Sequence, residues 1–194
     1  MKKYELTEEI KMELDKTVHR IKYLIDIPMY GVKAGDLGGW LESEQNLSKE
    51  GNCCVLDNGC VTGHGCVTDN GSVSGNGCVR GHGYVTDNGY VTGNGCVSGD
   101  GYVTGNGCVS GHGRVTSSGE IATISGFGSE NRHTTFYRTT EDDIGVTCGC
   151  FVGTLDEFRE QVHETHGDTD IAREYLLAAD LMERRFKRTS LWRK

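Results

Sequence analysis

From Val55 to Val115 an aliphatic residue recurs every six positions, at 55, 61, 67, 73, 79, 85, 91, 97, 103, 109 and 115, and Ile121 continues the series. No step departs from six. That period is a multiple of the two-residue strand repeat and is out of phase with a 3.6-residue helix, so the stretch reads as strand. Within each repeat, Gly-x-Val-Thr alternates between an inward valine and outward neighbours. Triplets of the form Asp-Asn-Gly, Gly-Asn-Gly or Gly-His-Gly follow, supplying residues that tolerate positive φ and turn the chain. A strand of about three or four residues cannot bury its valine alone; stacking the turns into a coil creates one core and pairs each backbone group with the coils on either side. Residues 51–122 therefore read as a β-solenoid of twelve hexads.

Composition agrees. There are 29 glycines but a single proline, Pro28, which argues against collagen. The net charge of −8 lies mostly in the flanks: the repeat carries only Asp57, Asp69, Asp87, Asp100 and Glu120 against Arg80 and Arg114. At the C-terminus the sign reverses, with Arg184, Arg185, Lys187, Arg188, Arg193 and Lys194. No apolar run approaches the roughly 20 residues that span a bilayer, and the N-terminus lacks a secretory pattern. Nine cysteines in such a chain read as thiols rather than disulfides. The expectation is a soluble, cytoplasmic protein with no membrane or nucleic-acid partner and no implied cofactor.

The hexads resemble the left-handed parallel β-helix, in which three hexads make one triangular coil. That resemblance implies four coils and, at a spacing of ~4.8 Å, a rod roughly 19 Å long. Here the inward residue before each strand is glycine (Gly59, Gly65, Gly71, Gly77 and onward), with only Cys53 differing. Each glycine costs roughly 0.5–1 kcal/mol relative to alanine, so the coils are expected to be weak and to depend on end caps, oligomerisation or both.

Residues 1–50 read as an N-terminal cap with an irregular first coil carrying Leu41 and Leu47. Residues 5–27 fit either a helix through Leu6, Ile10, Leu14, Val18, Ile21 and Ile25 or a hairpin turning at Asp15-Lys16. Residues 123–194 read as an α+β cap. Thr134–Arg138 and Ile144–Cys148 form a strand pair, Thr154-Leu-Asp-Glu157 is a capping box, and Asp168 or Thr169 caps a second helix with the face Ile171, Tyr175, Ala178, Met182 and Phe186. The helices are expected to cover the open end of the rod.

The motifs Val32-Lys-Ala-Gly-Asp-Leu-Gly-Gly-Trp40-Leu41-Glu42 and Glu44-Gln-Asn-Leu-Ser48 precede the hexads. Cys150-Phe-x-Gly-Thr154-Leu-Asp-Glu-Phe158, Thr165-His-Gly-Asp168 and Arg173-Glu-Tyr175 follow them. Together these resemble a group of phage and prophage hexapeptide-repeat proteins, over nearly the whole chain. The resemblance implies a mobile-element origin and an accessory role, and carries no catalytic residue onto this sequence.

Adding 18 predicts the stacked columns. Cys60, Cys78 and Cys96, continued by Arg114, share one face; Tyr84 and Tyr102 stack between Cys66 and Glu120; Cys54, Ser72, Tyr90 and Cys108 form the third column. All are expected to point outward. The thiols are candidates for a soft metal, although a flat sheet offers poor tetrahedral convergence. His64, His82 and His112 are candidate general bases of an acyltransferase, set against a plain corner role matching Asn58, Asn76 and Asn94. His163-Glu-Thr-His166 lacks the zinc-protease spacing. Tyr84, Tyr90 and Tyr102 are candidates to stack a base, with Arg80 or Arg114 meeting phosphate. The leading expectation is a non-enzymatic scaffold that forms a homo-oligomer, such as a trimer, or captures a host protein or nucleotide. The alternative is a hexapeptide-repeat acyltransferase.

Overall fold

The computed structural model describes residues 2–191; Arg193 and Lys194 of the basic tail lie outside them. Strands β1 (Tyr4–Glu13) and β2 (Lys16–Tyr23) form an antiparallel hairpin, which removes the helical alternative. It turns on Leu14 and Asp15, both at positive φ, one residue earlier than expected. Strand β3 (Leu37–Leu41) runs antiparallel to β2 and parallel to the solenoid. Strands β4 to β14 are two residues each and start at six-residue intervals, from Cys54–Val55 to Arg114–Val115.

These strands stack in parallel on three faces. One face runs through the strands starting at 60, 78, 96 and 114 and is extended by β3 and the hairpin into a seven-stranded sheet. The second runs through 54, 72, 90 and 108, and the third through 66, 84 and 102. Every step between regular coils is 18 residues. In the irregular first coil Leu41 pairs with Val61 and Leu47 with Val67, each 20 apart, so two extra residues precede Cys54. Valines 55 to 115 are all fully buried.

The glycines before each strand have a geometric cause. A Cβ on Gly83 would lie 2.8 Å from the Val97 carbonyl oxygen of the next coil and 3.0 Å from that of Arg80. The same approach recurs at Gly65, Gly71, Gly77, Gly89 and Gly95. Alanine is therefore no better-ordered alternative at these sites, and the expected weakness of the coils does not follow from them. Positive φ falls instead on the first turn residue, which is glycine or Asp57, Asp69 and Asp87 at φ 53°, 54° and 52°. The middle turn residue stacks: Asn70 lies between Asn52 and Asn88, linked by amide hydrogen bonds of 2.8 and 3.2 Å. A second ladder joins Asn58, Asn76 and Asn94. Asparagine serves there for its two-ended amide rather than for unusual backbone angles.

Each end of the rod is closed differently. At the start, Tyr23 Oη donates to the Val55 carbonyl and accepts from the Val55 amide, while Tyr4 Oη reaches the carbonyls of Glu44 and Leu47. Lys3 is fully buried, its Nζ 3.1 Å from Cys53 Sγ and 3.2 Å from the Gly51 carbonyl. At the far end Ile121 leaves the coil and begins β15 (Ile121–Ile124), followed by β16 (Thr134–Arg138), β17 (Ile144–Cys148) and β18 (Phe151–Thr154) in one antiparallel sheet. The expected strand pair is its centre. The sheet, not the helices, plugs the rod. Tyr137 enters the valine core, whereas its neighbour Phe136 faces the helical side.

The helices α1 (Leu155–His166) and α2 (Asp170–Leu191) pack behind that sheet. Thr154 and Glu157 make the expected capping box, and Thr169 Oγ1 caps α2 by accepting from the Ala172 amide at 3.3 Å. Tyr175, Ala178, Met182 and Phe186 are buried as expected; Ile171 is exposed, and Ala172 and Ala179 take the inward places. Among the described residues no helix is long and apolar enough to cross a membrane.

Candidate functional site

The predicted columns form, but their exposure differs from expectation. Trp40 of β3 pairs with Cys60 and covers it, making a small cluster with Val18, so Cys60 is buried. Burial pushes its thiol up to about 11. Cys54 is fully buried, and burial raises its thiol to about 12. Neither points into solvent. Cys78 and Cys96 remain half-buried on the open part of the face, in direct register, with Arg114 the next residue along. Among the described residues no three His, Cys, Asp or Glu side chains group so as to hold a metal ion.

The Cys78 and Cys96 thiols stand in direct register, and the nearby guanidinium groups of Arg80 and Arg114 favour a thiolate within the pair. A partly exposed thiol in cationic surroundings is the setting of a reactive cysteine.

The histidines are not equivalent. His64 and His82 stack on each other, ring centroids 5.0 Å apart, at an exposed corner. His112 sits at the foot of the asparagine ladder and lines a cavity of about 420 Å³ with Glu141, Asp143 and Glu157. Glu157 is committed to the α1 cap. Glu141 is lowered chiefly by its hydrogen bond from Thr140, with a smaller contribution from His112.

The tyrosines divide as well. Tyr84 and Tyr102 stack at 5.4 Å with planes 1° apart. Tyr84 Oη lies 3.1 Å from Thr68 Oγ1 and Tyr90 Oη 2.7 Å from Ser74 Oγ. These rings are tethered along the rod rather than free to clamp a base together, and Tyr90 stands on a different face from the stacked pair. Arg80 is half-buried and Arg114 is exposed on the thiol face, so neither arginine shares a face with a tyrosine.

The structure adds a recess at the rod–cap junction. Tyr90, Thr92 and Cys108 form its floor, and Arg132, His133, Thr135 and Thr147 form its wall, around a cavity of about 490 Å³. Hydrogen bonds fix the junction: the Cys108 amide donates to Thr135 Oγ1 and Thr147 Oγ1 donates to the Cys108 carbonyl. Arg132 and Val152 also line a neighbouring cleft of about 610 Å³ between the sheet, α1 and Tyr175. One aromatic ring, one guanidinium, one imidazole and several hydroxyls thus converge on a concave surface. Arg132 and His133 carried no repeat or motif in the sequence, whereas Tyr90 and Cys108 stood together in one predicted column.

The fold and the recess define a capped β-solenoid with a largely apolar notch, edged by Arg132 and His133, where rod and cap meet. No protein-family model matches the chain, and no curated protein matches it.

Proposed function

We propose that this protein is a non-enzymatic scaffold: a phage or prophage accessory protein of the bacterial host cytoplasm that self-associates and binds an anionic partner. The junction recess is the observation that carries this reading. Tyr90 supplies an aromatic surface, Arg132 and His133 favour negative charge, and a concave site with a few placed polar groups is the usual form of a ligand pocket. Capture of a host nucleotide signal fits that chemistry better than capture of an uncharged ligand. The rod below is an unbroken series of hexads with no extruded loop to build an acyl-carrier cleft.

Thermal-shift measurements with adenine and cyclic nucleotides test the proposal. A bound ligand at 100 times its Kd stabilises by about 2.7 kcal/mol, about 5–10 °C for a chain of this size. Arg132→Ala should abolish that shift and leave the unliganded melting temperature nearly unchanged, whereas Tyr90→Ala should abolish it and also lower that temperature, because the ring is half-buried and its hydroxyl is bonded to Ser74. A shift that survives both substitutions removes the recess from consideration.

The position of His112 favours a second reading. It is the candidate histidine that lines a cavity with carboxylates, as a general base of an acyltransferase would. Acyl-CoA turnover lost in His112→Asn would establish it; no turnover with any acyl-CoA donor rejects it.

A further inference from the structure

The hairpin of β1 and β2 extends one face of the rod beyond its core. Lys11 and Glu13 lie on the outer side with Trp40, Lys11 Nζ standing 4.7 Å from the indole centroid and 3.7 Å from Glu13 of its own strand, so across a two-fold seam the two pairs would form one four-charge cluster. The opposite side of β1 carries Ile10 and Met12, exposed by 58% and 65%, and the turn residue Leu14 beyond them is exposed by 63%. Large apolar side chains exposed along a sheet edge and its turn are unusual for an isolated chain, because such edges invite pairing. β1 is the terminal strand of its seven-stranded sheet, and among the described residues no strand lies along its outer edge.

The edge has a specific polarity. The two-residue turn at Leu14-Asp15 closes on the pair Glu13 and Lys16, the hydrogen-bonded pair of such a hairpin. Because pairs alternate along an antiparallel ladder, Met12 and Ile10 turn their amide and carbonyl groups to the free edge. A second copy approaching antiparallel about Met12 then meets matching groups: Met12 pairs with Met12 through two reciprocal hydrogen bonds. The neighbouring positions place Lys11 of each copy opposite Glu13 of the other. These are non-hydrogen-bonded pairs, where side chains come closest, at about 4.5 Å between Cα atoms. On the other face Ile10 and Met12 of each chain continue the partner's apolar row. The irregularity between Leu6 and Ile10 ends the register and keeps the pairing short.

The geometry points to a homodimer formed by antiparallel pairing of the two β1 edges about Met12, with reciprocal Lys11–Glu13 ion pairs. A two-fold interface must be self-complementary, and the segment Ile10-Lys-Met-Glu-Leu14 is so in hydrogen bonding, charge and apolar content. This inference names the surface for the self-association proposed above and rests on that reading.

Charge exchange provides the test. In sedimentation velocity the full chain should run as a dimer at micromolar concentration. Lys11→Glu places Glu opposite Glu13 and should weaken dimerisation at least tenfold; Glu13→Lys places Lys opposite Lys11 with the same effect. The Lys11→Glu/Glu13→Lys double variant restores opposite pairs and should recover the dimer. Circular dichroism checks that each variant keeps the solenoid, and Met12→Lys serves as a second disruptive change. A monomeric wild type, or single variants that dimerise as well as it does, overturns the inference. If an oligomer persists in Met12→Lys, self-association survives while this surface is wrong.

Discussion

Gly83→Ala separates two accounts of the glycine-rich rod. If glycine were merely a flexible substitute for alanine, the change would stabilise by roughly 0.5–1 kcal/mol. The structure gives the opposite sign. The added Cβ would lie 2.8 Å from the Val97 oxygen, 3.0 Å from the Arg80 oxygen and 3.1 Å from the Val97 carbonyl carbon. All three are backbone atoms, held by the 2.9 Å bond from the Tyr84 amide to Gly101 and its equivalents in adjacent coils, so no side chain can swing aside. Overpacking of that kind costs about 1–3 kcal/mol, and the entropy gain only partly offsets it. A net loss of about 1–2 kcal/mol lowers the melting temperature by roughly 2–8 °C in a chain of this length. Urea denaturation followed by circular dichroism measures it directly. Gly105→Asp is the control, because Asp57, Asp69 and Asp87 occupy the equivalent turn position at positive φ and a Cβ there meets no atom within 4 Å; its cost should be smaller than that of Gly83→Ala. A Gly83→Ala protein as stable as wild type, or more so, would refute the claim that coil spacing dictates glycine.

Tyr23→Phe removes a hydroxyl that bridges the Val55 amide and carbonyl at 2.9 and 3.0 Å, and the two unpaired buried groups should cost about 1–3 kcal/mol in urea unfolding. Iodoacetamide should label the Cys78–Cys96 pair, which is half-buried beside Arg80 and Arg114, before the buried Cys53, Cys54 and Cys60, as peptide mapping by mass spectrometry would show. Glu183 is held at about 2 by Lys187 and Arg159, below its ordinary 4.5, so its contribution is present above about pH 4.5 and lost as pH falls through 2. Glu183→Gln should therefore lower the melting temperature at pH 6 and leave it nearly unchanged about one pH unit below 2.

The rod was legible because its signal is repetitive: one valine every six residues indicates short stacked strands, while the 18-residue columns followed from the resemblance to the left-handed β-helix. The caps were partly legible. Thr154 and Glu157 announced α1 by local chemistry, and Thr134–Arg138 announced a strand by alternation. The sequence did not reveal that Trp40 would lie over Cys60, or that Tyr137 rather than a helix would plug the far end, since both depend on contacts between distant segments. Cys53 stood out as the break in the glycine series, but its reason, the buried ammonium of Lys3, lies 50 residues away. The junction recess was hidden for the same cause: Tyr90 belongs to the repeat, whereas Arg132 and His133 come from a connecting segment without periodicity.

The separation of the two end structures from a strictly modular middle limits how such a chain can change in size. Duplicating or deleting 18 residues adds or removes one storey, and each face still meets its own partner at top and bottom. A change of six or twelve would keep every valine buried yet rotate one end by a third of a turn relative to the other. The flap carrying Trp40 and the notch beside Cys108 would then look in new directions, so length variants should come in whole storeys.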